Sequence, residues 1–166
     1  MKKDYSYYEK FPAGWIKKLR EELHLEFGPD FWSGGSAIDG KVDKLPPVVM
    51  RSFIGKIASF FPSKPQGITL WGTIYFTPHY PEMSKKFREL KGQDEAFIYE
   101  FGMYAHETYH AVDQKIQGKL KWFIKYILRL IKTPNAYKHP MEQPAYAFQN
   151  HLKRVARESL HLDKEQ

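Results

Sequence analysis

The sequence predicts an α+β fold, a mainly helical single domain with a small sheet. Amphipathic helical patterns recur along most of the chain, whereas a single segment has the composition of a strand. No repeat, low-complexity tract or linker divides the 166 residues, so we expect one domain over residues 1–166. The 12 Phe, 11 Tyr and 4 Trp can fill a large core for a chain of this length.

Two helices and one strand are predicted in the first half of the chain. Apolar residues at helical spacing, followed by a glycine and a proline, predict an amphipathic helix over residues 13–26. Residues 28–40 are rich in glycine and short polar side chains and are expected to form a loop. Pro46-Pro47 is expected to open a second helix that continues through Phe60. The β-branched and aromatic residues of Gly67–Thr77 predict one strand.

Three helices are predicted in the second half, after a loop at Pro78–Gly92. The longest covers Asp94–Gln117 and ends at a glycine. The next covers Lys119–Lys132. The last begins near Pro140 or Pro144, because proline is favoured in a first helical turn, and it extends to about residue 160.

Composition excludes several classes of protein. Without cysteine, the chain has no disulfide scaffold, thiolate metal site or cysteine nucleophile. No apolar run approaches the roughly 20 residues of a membrane span, and no apolar segment follows the N-terminal lysines. We therefore expect neither a span nor a secretory signal, which leaves the cytoplasm as the default compartment. The net charge of +7 favours acidic partners in general, but the basic residues are spread thinly and no nucleic-acid partner is expected.

The segment His106-Glu107-Thr108-Tyr109-His110 fits the pattern H-E-x-x-H inside the longest predicted helix. Residues four apart lie one above the other on a helix, so the two imidazoles can reach one metal ion. Glu107 is rotated by about 100° from His106, and it can take a proton from water beside the metal. Zinc suits two neutral imidazoles and an oxygen donor. The pattern therefore predicts a Zn²⁺ site with Glu107 as general base.

Two histidines do not complete a zinc site, so a third donor is expected downstream. Glu142 stands at the head of the last helix, and a carboxylate there would give a His₂Glu site with one open position. His139 is the alternative ligand, which would give a His₃ site. Further downstream donors are His151, Glu158 and His161.

Other polar residues near the motif leave alternatives open. Asp113 follows His110 by three positions and could hold an imidazole N–H, or it could be a solvated charge paired with a lysine. A tyrosine or histidine donor is expected to stabilise a developing oxyanion. The sequence does not choose among the available donors, which are Tyr104, Tyr137, Tyr146 and His139.

Three segments together resemble a zincin-type metallopeptidase with a glutamate third ligand: GITLWGTIYF, YEFGMYAHETYHAVDQ and HPMEQPAYAF. They are also similar to small HExxH domains in which a glutamine soon follows the motif, as Gln114 does here. The resemblance covers mainly residues 67–150. It implies zinc bound by His106, His110 and Glu142, with Glu107 as general base. It also implies that the strand Gly67–Thr77 binds substrate backbone beside the active-site helix.

The predicted helix Lys119–Lys132 has basic residues on one stripe and apolar residues around most of the remaining surface. With 14 residues it is too short to span a bilayer. We expect it to be buried on most of its circumference, covering the metal helix. The alternative is a basic amphipathic helix lying on an anionic membrane surface.

The sequence therefore predicts a zinc-dependent hydrolase, a metallopeptidase acting on a peptide or protein substrate. Two other hypotheses remain. One is a noncatalytic zinc-stabilised interaction domain, and the other is a basic peripheral membrane-binding module in which the histidines are incidental.

Overall fold

The computed structural model describes residues 2–28, 45–60, 64–133, 135 and 138–164, the last four of these by their backbone alone. It has the predicted α+β architecture, mostly helical with a small mixed sheet. Apart from Gly28, the loop predicted at residues 28–40 lies outside the described residues, as do Tyr137 and the side chain of His161.

Helices form most of the described chain. A 3₁₀ helix at Tyr7–Lys10 precedes the main elements. In chain order these are α1 (Ala13–Phe27), β1 (Val48–Val49), α2 (Phe53–Ser59), β2 (Gly67–Leu70), β3 (Thr73–Phe76), α3 (His79–Lys91), α4 (Gln93–Gln117), α5 (Lys119–Lys132) and α6 (Gln143–Lys164).

Four of the predicted helices are confirmed within a few residues: α1, α4, α5 and α6. Their apolar periodicity is long enough to be unambiguous, and glycines mark the ends of two of them. Gly118 has a φ of 84°, a left-handed conformation that glycine adopts without strain. It ends α4 and turns the chain directly into α5.

The prediction of one strand over Gly67–Thr77 is wrong, because this segment is a hairpin of β2 and β3. Trp71 and Gly72 have φ values of 49° and 76°, as in the two-residue turn that joins twisted antiparallel strands. The sheet order is β1-β3-β2, with β1 parallel and β2 antiparallel to β3. β2 is therefore an outer strand of the described sheet, and it lies beside α4.

Two further boundaries differ from prediction. The loop expected at Pro78–Gly92 is largely helix α3, whose apolar positions are sparse but recur with helical spacing at Tyr80, Met83 and Phe87. The second helix begins at Phe53 instead of Pro46-Pro47, because residues 48–49 pair with β3. The hydroxyl of Ser52 caps it by accepting from the Gly55 N–H at 2.7 Å.

An aromatic core holds α4 against the N-terminal elements. Phe11 packs against Phe101 and Tyr104, with ring centroids 5.3 and 5.9 Å apart. Trp15 of α1 packs on Phe101 at 5.1 Å, and its indole N–H donates to Ser159 of α6 at 2.7 Å. Helix α4 is thus fixed between α1, α3 and α6, so the residues on it are rigidly placed.

The expectation that α5 is buried on most of its circumference is wrong. Trp122 is the buried residue of this helix, whereas Leu120, Ile124, Leu128 and Ile131 are exposed. The apolar arc is wider than the contact with the domain, so part of it faces outward. In the described ranges, no helix combines the length and the apolarity that crossing a membrane requires.

Candidate metal centre

The H-E-x-x-H segment lies in the second half of α4, as its helical spacing predicts. The side chains of His106 and His110 lie one turn apart, with ring centroids at 4.8 Å. Both histidines and Glu107 are 4% exposed, so the whole segment is withdrawn from solvent. Buried imidazoles need polar partners. Here a partner comes from the turn that precedes α6.

Glu142 supplies the third polar group. It precedes the first residue of α6, where its N–H donates to the His139 carbonyl at 2.9 Å. Because α6 packs along α4, Oε2 of Glu142 lies 3.1 Å from Nε2 of His106 and 3.2 Å from Nε2 of His110. The two Nε2 atoms are themselves 3.2 Å apart. Three ligand atoms thus form a nearly equilateral triangle.

The dimensions of this triangle fit a tetrahedral zinc ion. With metal–ligand distances of about 2.0–2.1 Å, the ligand atoms of such a site lie about 3.3 Å apart. Without a cation, two ring nitrogens and a carboxylate oxygen would have to share the available protons. A cation satisfies all three lone pairs together, so the donor set fits a zinc ion.

The Nδ1 atoms of the two histidine rings are unusual because they are buried without a hydrogen-bond partner among the described residues. Nδ1 of His106 and Nδ1 of His110 are buried and have no hydrogen-bond partner in the part of the chain that the structure describes. Aromatic contacts position the rings instead. The Tyr146 ring lies 4.7 Å from that of His106, and the Trp122 ring lies 5.6 Å from that of His110. Each Nε2 therefore points inward because of packing and not because of a second hydrogen bond.

The alternative ligands are placed elsewhere. His139 is buried, but its Nδ1 accepts from the Met141 N–H at 3.3 Å and its Nε2 lies 3.4 Å from the Tyr126 carbonyl. His151 pairs with Glu22 at 3.2 Å, and Glu158 lies on the exposed side of α6 beside Arg154.

Tyr126 of α5 is a residue of this site that sequence reasoning missed, as is Thr69 of β2, which hydrogen-bonds Glu107. The Tyr126 hydroxyl donates to Oε1 of Glu142 at 2.8 Å, so both carboxylate oxygens of Glu142 are engaged. The Tyr126 ring stacks on Trp122 at 5.0 Å with an interplanar angle of 13°. A signal was present in the sequence: Trp122 and Tyr126 are four residues apart and share one face of a helix, and a buried tyrosine needs a partner for its hydroxyl.

The carboxylate of Glu107 faces β2. Its Oε2 accepts from the Thr69 hydroxyl at 2.7 Å. Gly67 leaves room for this carboxylate, because a Cβ at that position would lie 2.7 Å from Oε1 of Glu107. The side-chain amide of Gln114 donates to the Thr69 carbonyl at 2.7 Å and ties β2 to α4. Strand and helix thus fix the orientation of Glu107 together.

The electrostatics of the site shift the pKa values of its groups in different directions. Burial raises the pKa of Glu107 above its usual range. Burial would also raise the pKa of Glu142, but the adjoining His110 and His106 outweigh it and hold that pKa well below its ordinary value. Burial opposes protonation of His110, yet the attraction of Glu142 raises the pKa of its imidazole overall. Burial therefore acts on both carboxyl groups, but the histidines shift the pKa of Glu142 in the direction opposite to that of Glu107.

Asp113 takes a role that neither predicted alternative describes. It accepts from the Trp122 indole N–H at 2.6 Å and from the Gln117 side-chain amide at 2.6 Å. It therefore joins α4 to α5 and positions the indole next to His110. Among the oxyanion-stabilising candidates, Tyr146 contacts the His106 ring, whereas the hydroxyl of Tyr104 donates to the Pro46 carbonyl at 3.3 Å.

No family model, curated protein or solved structure matches this chain.

Proposed function

We propose that this chain is a zinc-dependent hydrolase, a metallopeptidase of the zincin type. One observation carries the proposal: the Nε2 atoms of His106 and His110, on α4, and Oε2 of Glu142, in the turn before α6, lie within 3.2 Å of one another. Glu107, the second residue of the motif, lies beside them. Two histidines and a glutamate leave one position of a tetrahedral zinc open, as in catalytic sites.

The residues divide the chemistry among them. A zinc ion held by His106, His110 and Glu142 would lower the pKa of water to about 7 and polarise a carbonyl group. Glu107 takes a proton from the attacking water and delivers it to the leaving amine. The Thr69 hydroxyl donates to Glu107 and holds it in place. Burial raises the pKa of Glu107, so its carboxyl group holds a proton more readily than an exposed glutamate does. Tyr126 fixes the carboxylate of Glu142.

Strand β2 contacts Glu107, and an extended peptide substrate would have to pair with its outer edge. In an antiparallel ladder, alternate residues direct their backbone groups away from the partner strand. The Thr77 N–H bonds to the Gln66 carbonyl, so Gly67 and Thr69 are the residues that face outward from β3. Gln114 occupies the Thr69 carbonyl and Gly67 is buried against Glu107, so an extended substrate would pair with this edge only by displacing these contacts.

A noncatalytic zinc-stabilised interaction domain is the second candidate function. It is favoured by the burial of the ligands, since Glu142 is 7% exposed and both histidines are 4% exposed. Structural zinc sites are closed, whereas catalytic ones keep a position accessible to substrate.

Zinc content and cleavage of a broad peptide library, measured together, distinguish these functions. Under the proposal, the wild type binds zinc and cleaves, His110→Ala loses both properties, and Glu107→Gln keeps zinc but loses cleavage. Glu158→Gln, an exposed glutamate on α6, is the matched control and should retain both. A wild type that binds zinc tightly and cleaves nothing would favour the interaction domain. A wild type that binds no zinc would overturn both functions.

A further inference from the structure

Helix α5 presents an apolar face to solvent. Residues two positions apart on an α-helix are about 200° apart around its axis. Leu120, Ile124 and Leu128 therefore point away from the side that carries Trp122 and Tyr126. Leu120 is 69% exposed, Leu128 58% and Ile131 74%. Trp122 and Tyr126 hold the opposite side against Asp113 and Glu142, so α5 cannot turn its apolar face inward without breaking both contacts.

The same helix is strongly basic. It carries five cations and no acidic residue: Lys119, Lys121, Lys125, Arg129 and Lys132. Three of these cations and three aliphatic side chains lie side by side on the outer surface of the helix: Lys121, Lys125, Arg129, Leu120, Ile124 and Leu128. Cations therefore border the apolar face. The aliphatic parts of their side chains can lie along an apolar surface while the charged ends reach anionic groups.

We propose that α5 binds to the surface of an anionic phospholipid membrane. An apolar face bordered by lysines and arginine matches the headgroup–acyl boundary, in which apolar side chains insert and cations meet lipid phosphates. A second copy of the chain fits this face less well. Symmetric contact between two α5 helices would bring five cations on each side together without an acidic partner on either helix.

Binding of the full-length protein to vesicles tests the proposal. The protein should co-sediment with vesicles of phosphatidylcholine and phosphatidylglycerol far more than with phosphatidylcholine alone, and less as salt is added. Substituting Lys119, Lys121 and Lys132 by Gln should weaken binding by about fivefold per cation, roughly a hundredfold together. The matched control changes Lys17, Lys85 and Lys86 to Gln and has the same net charge; it should bind like the wild type.

The apolar contribution is tested separately. Leu120→Ser with Ile131→Ser should weaken vesicle binding, whereas Leu25→Ser with Leu90→Ser, at equally exposed positions of α1 and α3, should not. Far-UV circular dichroism verifies that each variant is folded. Equal binding by the α5 variants and their controls would overturn the proposal, as would an absence of binding to anionic vesicles. A dimer in sedimentation equilibrium that Leu120→Ser dissociates would assign the face to a second copy.

Discussion

The phenol of Tyr126 donates to the one carboxylate oxygen of Glu142 that does not face the two histidines. Tyr126 belongs to α5 and Glu142 to the turn that precedes α6, so this bond links both C-terminal helices to the site. It fixes the rotation of the carboxylate and leaves Oε2 directed at His106 and His110. Such outer bonds determine how well a ligand set is prepared for a metal.

Tyr126→Phe should therefore weaken zinc binding by about ten- to a hundredfold, because the ring still stacks on Trp122 while the carboxylate loses its donor. Competition with a chromophoric chelator measures the affinity. Tyr109→Phe is the control, since its hydroxyl donates to Glu26 at 3.1 Å and not to a ligand. Equal affinities for both variants would show that the bond has no effect on the site.

Glu142→Ala should reduce bound zinc from about one equivalent to nearly none, because two histidines alone are a weak zinc site. Elemental analysis of the dialysed protein measures this. Glu158→Ala removes an exposed glutamate from α6 and should leave the zinc content unchanged. If the alanine variant at 142 kept its zinc, another residue would have to be the third ligand.

Gly67→Ala should impair hydrolysis while zinc remains bound. The new Cβ would lie 2.7 Å from Oε1 and 2.9 Å from Cδ of Glu107, so the carboxylate must move. A displacement of about 1 Å in a catalytic group costs on the order of a hundredfold in rate. Turnover and zinc content are measured on the same sample. Gly14→Ala is the control: it lies at an open position in α1 and should stabilise the fold by up to about 1 kcal/mol. Unchanged turnover in Gly67→Ala would argue against Glu107 as the base.

Glu95 forms a bidentate ion pair with Arg157 that joins α4 to α6. Glu95→Gln should therefore lower the free energy of unfolding at neutral pH, but by less than about 1 kcal/mol because the pair lies at the surface. The hydrogen bonds from Arg157 lower the pKa of Glu95 below its ordinary value of 4.5. The contribution is thus present above pH 4.5 and is lost as pH falls through the depressed pKa of the folded state.

Denaturant unfolding at neutral and acid pH tests this pH dependence. The difference between wild type and Glu95→Gln should shrink as the solution is acidified. Glu89→Gln, whose carboxylate lies 3.8 Å from Lys85 on exposed α3, should show little difference at either pH. A Glu95→Gln difference that persists in acid would mean that the ion pair is not its source.

Sequence reasoning placed the local part of the site, could only rank the candidates for the third donor, and missed Tyr126. The juxtaposition of His106 and His110 follows from helical geometry, so the motif alone predicts it. The choice of Glu142 over His139 depends on how the turn before α6 folds, and the sequence could only rank the two. Tyr126 lies among apolar residues, and the partner of its hydroxyl is 16 positions away in a different element.

The errors in the fold have a similar origin. Gly67–Thr77 has strand composition throughout, and the turn is made by Trp71, a residue type that seldom adopts a positive φ. For α5, the apolar pattern identified a helix but not which arc of it contacts the domain. That arc is set by the Trp122 and Tyr126 bonds to α4 and the turn before α6, which are tertiary contacts.

Between His110 and Glu142 the chain runs for 32 positions, and all of α5 lies in that interval. A metal ion bound by the residues at both ends of this segment would close it into a loop, as a covalent crosslink does. It would thereby reduce the entropy of the denatured chain. Chelation would reopen the loop. Helix α5 and the turn before α6 would then loosen, whereas the aromatic cluster around Phe11 and Phe101 would keep its protection from hydrogen exchange.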